Sequence, residues 1–487
     1  MAFDNPAVWF FVALVAPCAL LAIRYWRGSL FGVFVLLVFE GALRKWAFPW
    51  AEAQIYLVKD AILLAAYLGF ILDGRRKLPA EKGIGLITIV LVVSFLWGVI
   101  EVYNPNSPSI LVGLMGLKTY FLYAPVAFIL PYAIKSREHL LILIRRYLIM
   151  AIPVAVLGFI QIMGGPESSL NVYVNRSEDA PAMLAHFGST YDFIRTSGTF
   201  SYISGYTAFL TFVAFLAIGY NMAYGWRIKN NITPMLALSL IVGAMFTTGS
   251  RAPVYMLVAT GPVILWLAAK SRILSLGTAM RLVIVLPIIT ILATSVSPRA
   301  FQAFTERAEQ SDSDMLERLT GPLDETIGIL SSGPVLGMGI GTTHPAALSI
   351  MGATFPSWLN DLLTEAEMAR VTVELGPIGL VVYYLLLRFL IAAFALRCAR
   401  SFKDPAYRAL GIVLAIYLAL GFLYLPIMLN VTAGLYYWGG LGLVLAMRQL
   451  EQSAATEFGT VVVRGTDQTT NLQRAMPMAG AVRRRSS

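Results

Sequence analysis

The sequence predicts an all-α integral membrane protein with about thirteen transmembrane helices, within a range of twelve to fourteen. The chain of 487 residues is 58% hydrophobic and only 13% charged, which is about half the charged fraction of soluble domains. It contains many apolar runs of about 20 residues, the length at which a helix crosses a bilayer. The runs are too long for barrel strands, and lipid leaves backbone groups no partner outside a helix or a closed barrel.

The apolar runs define a polytopic membrane domain, residues 1–450, followed by a polar tail. Two long loops, at about 164–202 and 297–372, interrupt the runs, and loops of this length are usually functional or separately folded. The second loop has hydrophobic residues at helical spacing over 316–330, so we expect it to contain a helix. Residues 451–487 lack periodicity and are predicted to be a disordered cytoplasmic tail. The predicted spans are 7–23, 29–45, 55–72, 84–101, 113–131, 140–162, 203–221, 233–248, 252–270, 280–296, 373–394, 407–424 and 427–447.

The distribution of lysine and arginine predicts the orientation. Every second loop is basic, and the tail ends in the run Arg483, Arg484 and Arg485. Because such residues collect on the cytoplasmic side, the N-terminus is expected outside the cytoplasm and the C-terminus inside. Contact between these loops and anionic membrane lipids accounts for the net charge of +10 without a nucleic-acid partner. The two cysteines and three histidines lack metal-ligand spacing, so no metal site is predicted.

Arg251 is the first candidate binding residue. It lies in FTTGSRAPVYML, where one predicted span ends and the next begins on the outer side. A guanidinium near lipid is costly unless an anion meets it, and its planar donors suit phosphate oxygens. The alternative is an interfacial arginine that extends to water.

Arg195 and Arg318 are further outer-side candidates. Arg195, in RTSGTFSYISGY, precedes small residues and a predicted helix N-terminus, both of which suit a bound anion; a solvated arginine at a capped helix entry is the alternative. Arg318 lies in a net acidic loop, so we expect it to have a local partner, either an acid or a ligand. Glycines in SSGPVLGMGIGTTH predict a tight turn whose amides face an anion. His344 ends this turn and is either a catalytic or phosphate-contacting residue, or a structural one.

Charged residues also occur inside or beside predicted spans, in EGALRKW, YLVKD and the fifth span. Two interpretations remain open. The cations can form internal pairs with Glu40 and Asp60, or one or two of them can line a cavity that receives sugar or phosphate. The cations are Arg44, Lys45, Lys59 and Lys118.

At these motifs the chain resembles the superfamily of O-antigen ligases and Wzy-type O-antigen polymerases. The resemblance covers roughly residues 191–384. In chain order the motifs are Arg195 followed closely by Gly-Thr-Phe, then FTTGSRAPVYML, then an arginine, a Pro-x-x-Gly-x-Gly turn and a histidine. VELGPIGLVVYY resembles the start of the family's next helix and contains Glu374, a possible cavity-lining residue. The chain differs from the common pattern in Tyr202-Ile203-Ser204 and in Pro345 after His344.

The resemblance implies a GT-C-like, metal-independent glycosyltransferase of the bacterial inner membrane. Its substrate would be an oligosaccharide on undecaprenyl diphosphate at the periplasmic face, with Arg195, Arg251 and Arg318 on the diphosphate and His344 near the reacting centre. No cofactor is implied; a chain-length regulator and a flippase are possible partners besides membrane lipids. We favour a polysaccharide polymerase. An O-antigen ligase that transfers glycan to lipid A-core or protein, and a transporter or flippase of lipid-linked glycans, are the alternatives.

Overall fold

The computed structural model describes residues 6–74, 83–174, 186–187, 193–273, 314–344, 366–422 and 425–475, with isolated positions between 275 and 350. Within these residues the fold is helical, apart from a two-residue antiparallel pair, β1 (His186–Phe187) and β2 (Phe193–Ile194). The sequence did not predict this pair, which lies in the first long loop. The helices are α1 (Pro6–Arg24), α2 (Trp26–Ala42), α3 (Glu52–Leu72), α4 (Ile84–Val102), α5 (Ile110–Phe121), α6 (Pro125–Ala133), α7 (Arg137–Gly164), α8 (Ile203–Ala223), α9 (Ile228–Thr247), α10 (Ala252–Lys270), α11 (Asp314–Ser332), α12 (Glu367–Ile378), α13 (Arg388–Ser401), α14 (Pro405–Ala419) and α15 (Val431–Ala475).

By length and composition, eight helices of the described residues can cross a membrane, or up to nine if α5 and α6, bent by 43°, form one span. Four of the eight are composite. α2 continues as a π-helical turn, Leu43–Ala47, and α12 joins α13 through a π-helical segment, Gly379–Leu387. Short 3-10 turns, Pro49–Ala51 and Leu420–Phe422, extend α3 at its start and α14 at its end. The predicted span at 280–296 falls almost entirely outside the described residues. The described residues are therefore almost entirely helical and include helices that are long and apolar enough for a membrane protein, while the count of thirteen stays a prediction.

The predicted helix in the second long loop is confirmed as α11, which continues through Pro322. The structure extends α15 to Ala475, beyond the start of the predicted tail at residue 451, and residues 476–487 lie outside the described part of the chain. The segment 451–475 contains no proline and begins with glutamate, glutamine and alanine residues, which favour a helix that has already started.

Close packing between helices and loops positions the candidate residues. Gly41, near the end of α2, lies so close to the loop after Arg195 that a Cβ atom there would be 2.2 Å from the backbone nitrogen of Ser201. Gly116 in α5 and Gly341 in the glycine-rich turn approach each other in the same way, with 2.5 Å between a Cβ on Gly116 and the nitrogen of Gly341. Glycine permits both approaches because it lacks a side chain.

Candidate functional site

The connection between α2 and α3 brings cations of EGALRKW and YLVKD together. α2 ends in the π-helical turn that carries Arg44 and Lys45, and the non-helical backbone of Phe48 redirects the chain into α3. On α3, Tyr56 and Lys59 are three residues apart and therefore share one face. The two sequence motifs, which are separated in the chain by residues 47–55, thus meet at one end of two adjacent helices.

Three cations surround the ring of Tyr56. Measured to the ring centroid, the distances are 3.8 Å from Lys59 Nζ, 4.3 Å from Lys118 Nζ and 5.2 Å from the central carbon of the Arg44 guanidinium. The negative face of an aromatic ring attracts such groups. We call Tyr56, Arg44, Lys59 and Lys118 the Tyr56 cluster.

Two carboxylates neutralise part of this cluster. Glu40 Oε2 lies 2.8 Å from Lys59 Nζ, and Glu40 Oε1 lies 3.5 Å from Arg44 Nη1. Asp60 Oδ2 lies 2.6 Å from Lys118 Nζ. All five of these charged side chains are at least 86% shielded from solvent. The internal pairs are therefore present, yet three cations share two carboxylates, which leaves an excess of positive charge in a buried place.

Lys45 and Arg44 attach this region to residues 195–202, which we call the Arg195 loop. Lys45 Nζ donates to the carbonyl of Gly198 at 2.7 Å and to Ser197 Oγ at 3.1 Å, and Arg44 Nη1 donates to Ser201 Oγ at 2.9 Å. The Nε atom of Arg44, which is buried, has no hydrogen-bond acceptor in the described part of the chain. Since buried donors are almost always paired, this atom is suited to a ligand oxygen.

Arg195 and Arg251 belong to two segments that lie side by side. Arg195 Nε donates to the carbonyl of Thr248 at 3.0 Å, and the Thr196 amide donates to the carbonyl of Thr247 at 3.2 Å. Arg251 follows three residues after Thr248 and immediately precedes α10. The chain has no acidic residue between Asp192 and Glu306, so these segments supply no carboxylate of their own.

The glycine-rich turn before His344 binds an anion, but that anion is the carboxylate of Glu374. Its oxygens accept hydrogen bonds from the amides of Gly341 (3.0 Å) and Thr343 (2.8 Å), from Thr343 Oγ1 (2.6 Å) and from the Tyr120 hydroxyl (2.8 Å). The amides of Gly341 and Thr343 are thus engaged within the protein. The turn was predicted to present its amides to a ligand anion. In the structure these amides bind the carboxylate of Glu374, which thereby supports the turn.

His344 lies near the Tyr56 cluster. Burial, with the nearby charges of Lys118 and Arg370, lowers the pKa of His344 to about 4. The imidazole is therefore neutral near pH 7. A general base works best when its pKa is close to the working pH, so this environment favours His344 as a neutral hydrogen-bonding group over His344 as a base. Arg370, on α12, also fixes the turn, because its Nη1 donates to the carbonyl of Thr343 at 2.9 Å.

Arg318 lies on α11, and the role predicted for its side chain falls outside what the structure describes.

Sequence reasoning missed three residues that shape the site. Tyr56 could have been found from its spacing to Lys59. Gln161 of α7 clamps Gly198 by accepting from its amide at 2.8 Å, and Arg370 holds the turn; neither has a local sequence signal, because their partners are distant in the chain.

Within the described residues, no group of three or more histidine, cysteine, aspartate or glutamate side chains is arranged to hold a metal ion. Comparison of the chain with models of known protein families and with curated protein sequences found no match. The function therefore has to be argued from the geometry of the cations.

Proposed function

We propose that this protein is a membrane glycosyltransferase that joins glycan units carried on a lipid diphosphate. The observation that carries the proposal is the Tyr56 cluster, in which three cations, each with a side chain at most 14% exposed, share two carboxylates. Lys45 and Arg44 connect this cluster to the Arg195 loop. A diphosphate supplies the negative charge that such a group of cations can bind.

The reaction would proceed by displacement at the first sugar of the donor. An acceptor hydroxyl attacks C1 of that sugar, the bond from C1 to the diphosphate oxygen breaks, and the hydroxyl proton leaves to solvent or to the released diphosphate. Negative charge grows on the leaving oxygen. Fixed arginines such as Arg195 and Arg251 stabilise that charge, a contribution that is usually the largest in catalysis.

In this proposal the fold is GT-C-like with about thirteen spans, and the site faces the periplasm of a bacterial inner membrane. The substrate is an undecaprenyl-diphosphate-linked oligosaccharide, and the product is a longer glycan, as in a polysaccharide polymerase. The order of motifs that resembles the O-antigen polymerase and ligase superfamily supports this assignment. The excess of cations over carboxylates in the Tyr56 cluster, which Arg44 links to the Arg195 loop, supports it independently.

Purified protein in nanodiscs tests the proposal directly. Incubation with a lipid-diphosphate oligosaccharide should yield glycans longer than one repeat unit, detected by mass spectrometry, without an ion gradient. Transfer only when lipid A-core is added would identify a ligase. Movement of the headgroup between leaflets without a new glycosidic bond would identify a transporter and contradict the proposed enzyme.

A further inference from the structure

A basic cavity lies at the opposite end of α8 and α10 from Arg195 and Arg251. Both helices are long and apolar enough to cross a membrane. α8 starts after the Arg195 loop and ends at Ala223, while α10 starts after Arg251 and ends at Lys270. A cavity of about 450 Å³ lies beyond these far ends and is lined by Arg227 and Arg272, among others. It is therefore separate from the site proposed for the lipid diphosphate.

The cavity has positive charge without a matching acid. Arg227 and Arg272 are exposed, and neither forms an ion pair with any residue that the structure describes. Both lie in the stretch between Asp192 and Glu306 that contains no acidic residue. Asp404, which is adjacent to the lining residue Pro405, is already paired with Arg137 at 2.6 Å. An anion that enters this cavity would meet two guanidinium groups.

Asn231 supplies a second, independent observation. It lines the cavity, is only 3% exposed, and its Nδ2 atom has no hydrogen-bond acceptor among the described residues. The backbone of Asn231 also departs from helical geometry, with φ −134° and ψ 25°. A buried amide donor without an acceptor is unfavourable, and an oxygen of a bound ligand would satisfy it.

Hydroxyl groups complete the lining. Ser275 Oγ lies 3.0 Å from Thr278 Oγ1, and both residues line the cavity. Two guanidiniums, a primary amide donor and two hydroxyls are the donor types that recognise a tetrahedral oxyanion. At the same end of α10, Lys270 lies over the ring of Trp266, 5.1 Å from its centroid, a pair typical of the headgroup layer of a membrane.

We propose that this cavity binds a phosphate group, held by Arg227, Arg272 and Asn231. The phosphate group has two possible sources, the headgroup of an anionic phospholipid in the adjacent leaflet or a soluble phosphate compound. The inference does not depend on the proposed glycosyl transfer, because no residue of the Tyr56 cluster or of the Arg195 loop lines the cavity.

The test uses the full chain purified in neutral detergent. Thermal unfolding is measured with added phosphatidylglycerol, with phosphatidylcholine, and with inorganic phosphate against chloride at equal ionic strength. We expect phosphatidylglycerol or inorganic phosphate to raise the unfolding temperature, and the ligand that does so identifies the source. Phosphatidylcholine should give a smaller shift.

Variants test whether the rise in unfolding temperature results from binding in this cavity. The double variant Arg227→Gln/Arg272→Gln and the variant Asn231→Asp should lose the shift. The control Arg145→Gln/Arg146→Gln also removes two exposed arginines, here from α7, but neither residue lines this cavity, so it should keep the shift. If Asn231→Asp does not fold, Asn231→Leu replaces it as a variant that removes the amide. No shift with either phosphate source, or an equal shift in all variants, would overturn the proposal.

Discussion

Lys118 Nζ lies 2.6 Å from Asp60 Oδ2, and the two side chains are only 14% and 7% exposed. Asp60 also accepts a hydrogen bond from the Tyr123 hydroxyl at 2.8 Å. Both charged groups of such a pair lose free energy of hydration when they are shielded from water, so the pair by itself is weak evidence that it stabilises the fold. The pair does fix Lys118 beside Tyr56, where its charge also acts on His344.

The first prediction concerns this pair. Asp60→Asn keeps the shape of the side chain but leaves Lys118 without its carboxylate, and we expect a loss of about 3–5 kcal/mol in the free energy of unfolding. Adding Lys118→Met should recover much of the loss, because the unpaired charge is removed. Denaturant unfolding of the single and double variants measures both effects.

The matched control is the exposed pair between Arg27 and Asp73, whose side chains are 42% and 29% exposed. Solvent screens such pairs, so Asp73→Asn should cost less than about 1 kcal/mol. Equal losses in Asp60→Asn and Asp73→Asn would show that the Tyr56 cluster is solvated rather than buried.

The second prediction compares two glycines of α2. In Gly41→Ala the new Cβ would lie 2.2 Å from the backbone nitrogen of Ser201, so α2 and the Arg195 loop must separate. In Gly32→Ala nothing lies within 4 Å of the new atom, and the better helix propensity of alanine should stabilise the protein by up to about 1 kcal/mol. We expect Gly41→Ala to lower both the unfolding temperature and any glycan transfer, and Gly32→Ala to lower neither. An unchanged unfolding temperature in Gly41→Ala would contradict the close contact between α2 and the Arg195 loop.

Much of the fold followed from hydropathy, because apolar runs of about 20 residues in lipid leave few structures other than helices. The α10 boundaries, for example, agree with the predicted span. The tail and the short strands near His186 did not follow, since polar segments have no strong periodicity and their structure depends on neighbours. The bend between α5 and α6 was also invisible in an apolar run read as one span.

The candidate site was predictable in its residue types and only partly in its geometry. Charges inside spans identified Arg44, Lys45, Lys59 and Lys118, because such charges are rare in lipid. Glu40 and Asp60 could be proposed as partners, but the cation that each one contacts, such as Lys118 for Asp60, could not be assigned without the fold. The role of Glu374 could not be predicted, because the amides it binds lie more than 30 residues earlier in the chain. Long-range contacts of this kind require the fold.

The third prediction concerns Glu374. In Glu374→Gln an amide nitrogen replaces one carboxylate oxygen and cannot accept hydrogen bonds, so donors from the glycine-rich turn or from Tyr120 lose their partner. We expect the free energy of unfolding to fall by about 1–3 kcal/mol and hydrogen exchange to be faster at the amides of Gly341 and Thr343. Tyr120→Phe removes one donor and should cost about 1 kcal/mol with little change in exchange at the turn. Unchanged exchange in Glu374→Gln would contradict its role as the support of the turn.

The fourth prediction concerns pH. The pKa of His344 is about 4 in the folded protein against an ordinary value of 6.5, so the unfolded chain binds the proton first as the pH falls. Its contribution to stability is therefore complete above pH 6.5 and is lost progressively between pH 6.5 and pH 4. Wild type should lose more stability over this window than His344→Gln, as measured by unfolding at each pH. Parallel curves for the two proteins would contradict a buried, neutral His344.

The fifth prediction concerns Arg251. Both Arg251→Ala and Arg251→Lys should lower glycan transfer roughly 100- to 1,000-fold, the usual cost of losing one donor to a developing anion. Lysine cannot replace the planar fork of donors. Membrane insertion and expression of both variants should be normal. The control is Arg27→Ala, which removes an exposed arginine at the start of α2 and should retain glycan transfer. Full activity in both Arg251 variants would exclude this residue from the mechanism.

The most direct test of the central claim is a density map of the protein with a lipid diphosphate oligosaccharide bound. The account predicts phosphate oxygens at hydrogen-bond distance, about 2.7–3.2 Å, from the guanidinium of Arg44, Arg195 or Arg251, with the first sugar directed towards His344. A diphosphate bound elsewhere, with these arginines still contacting only protein groups, would contradict it.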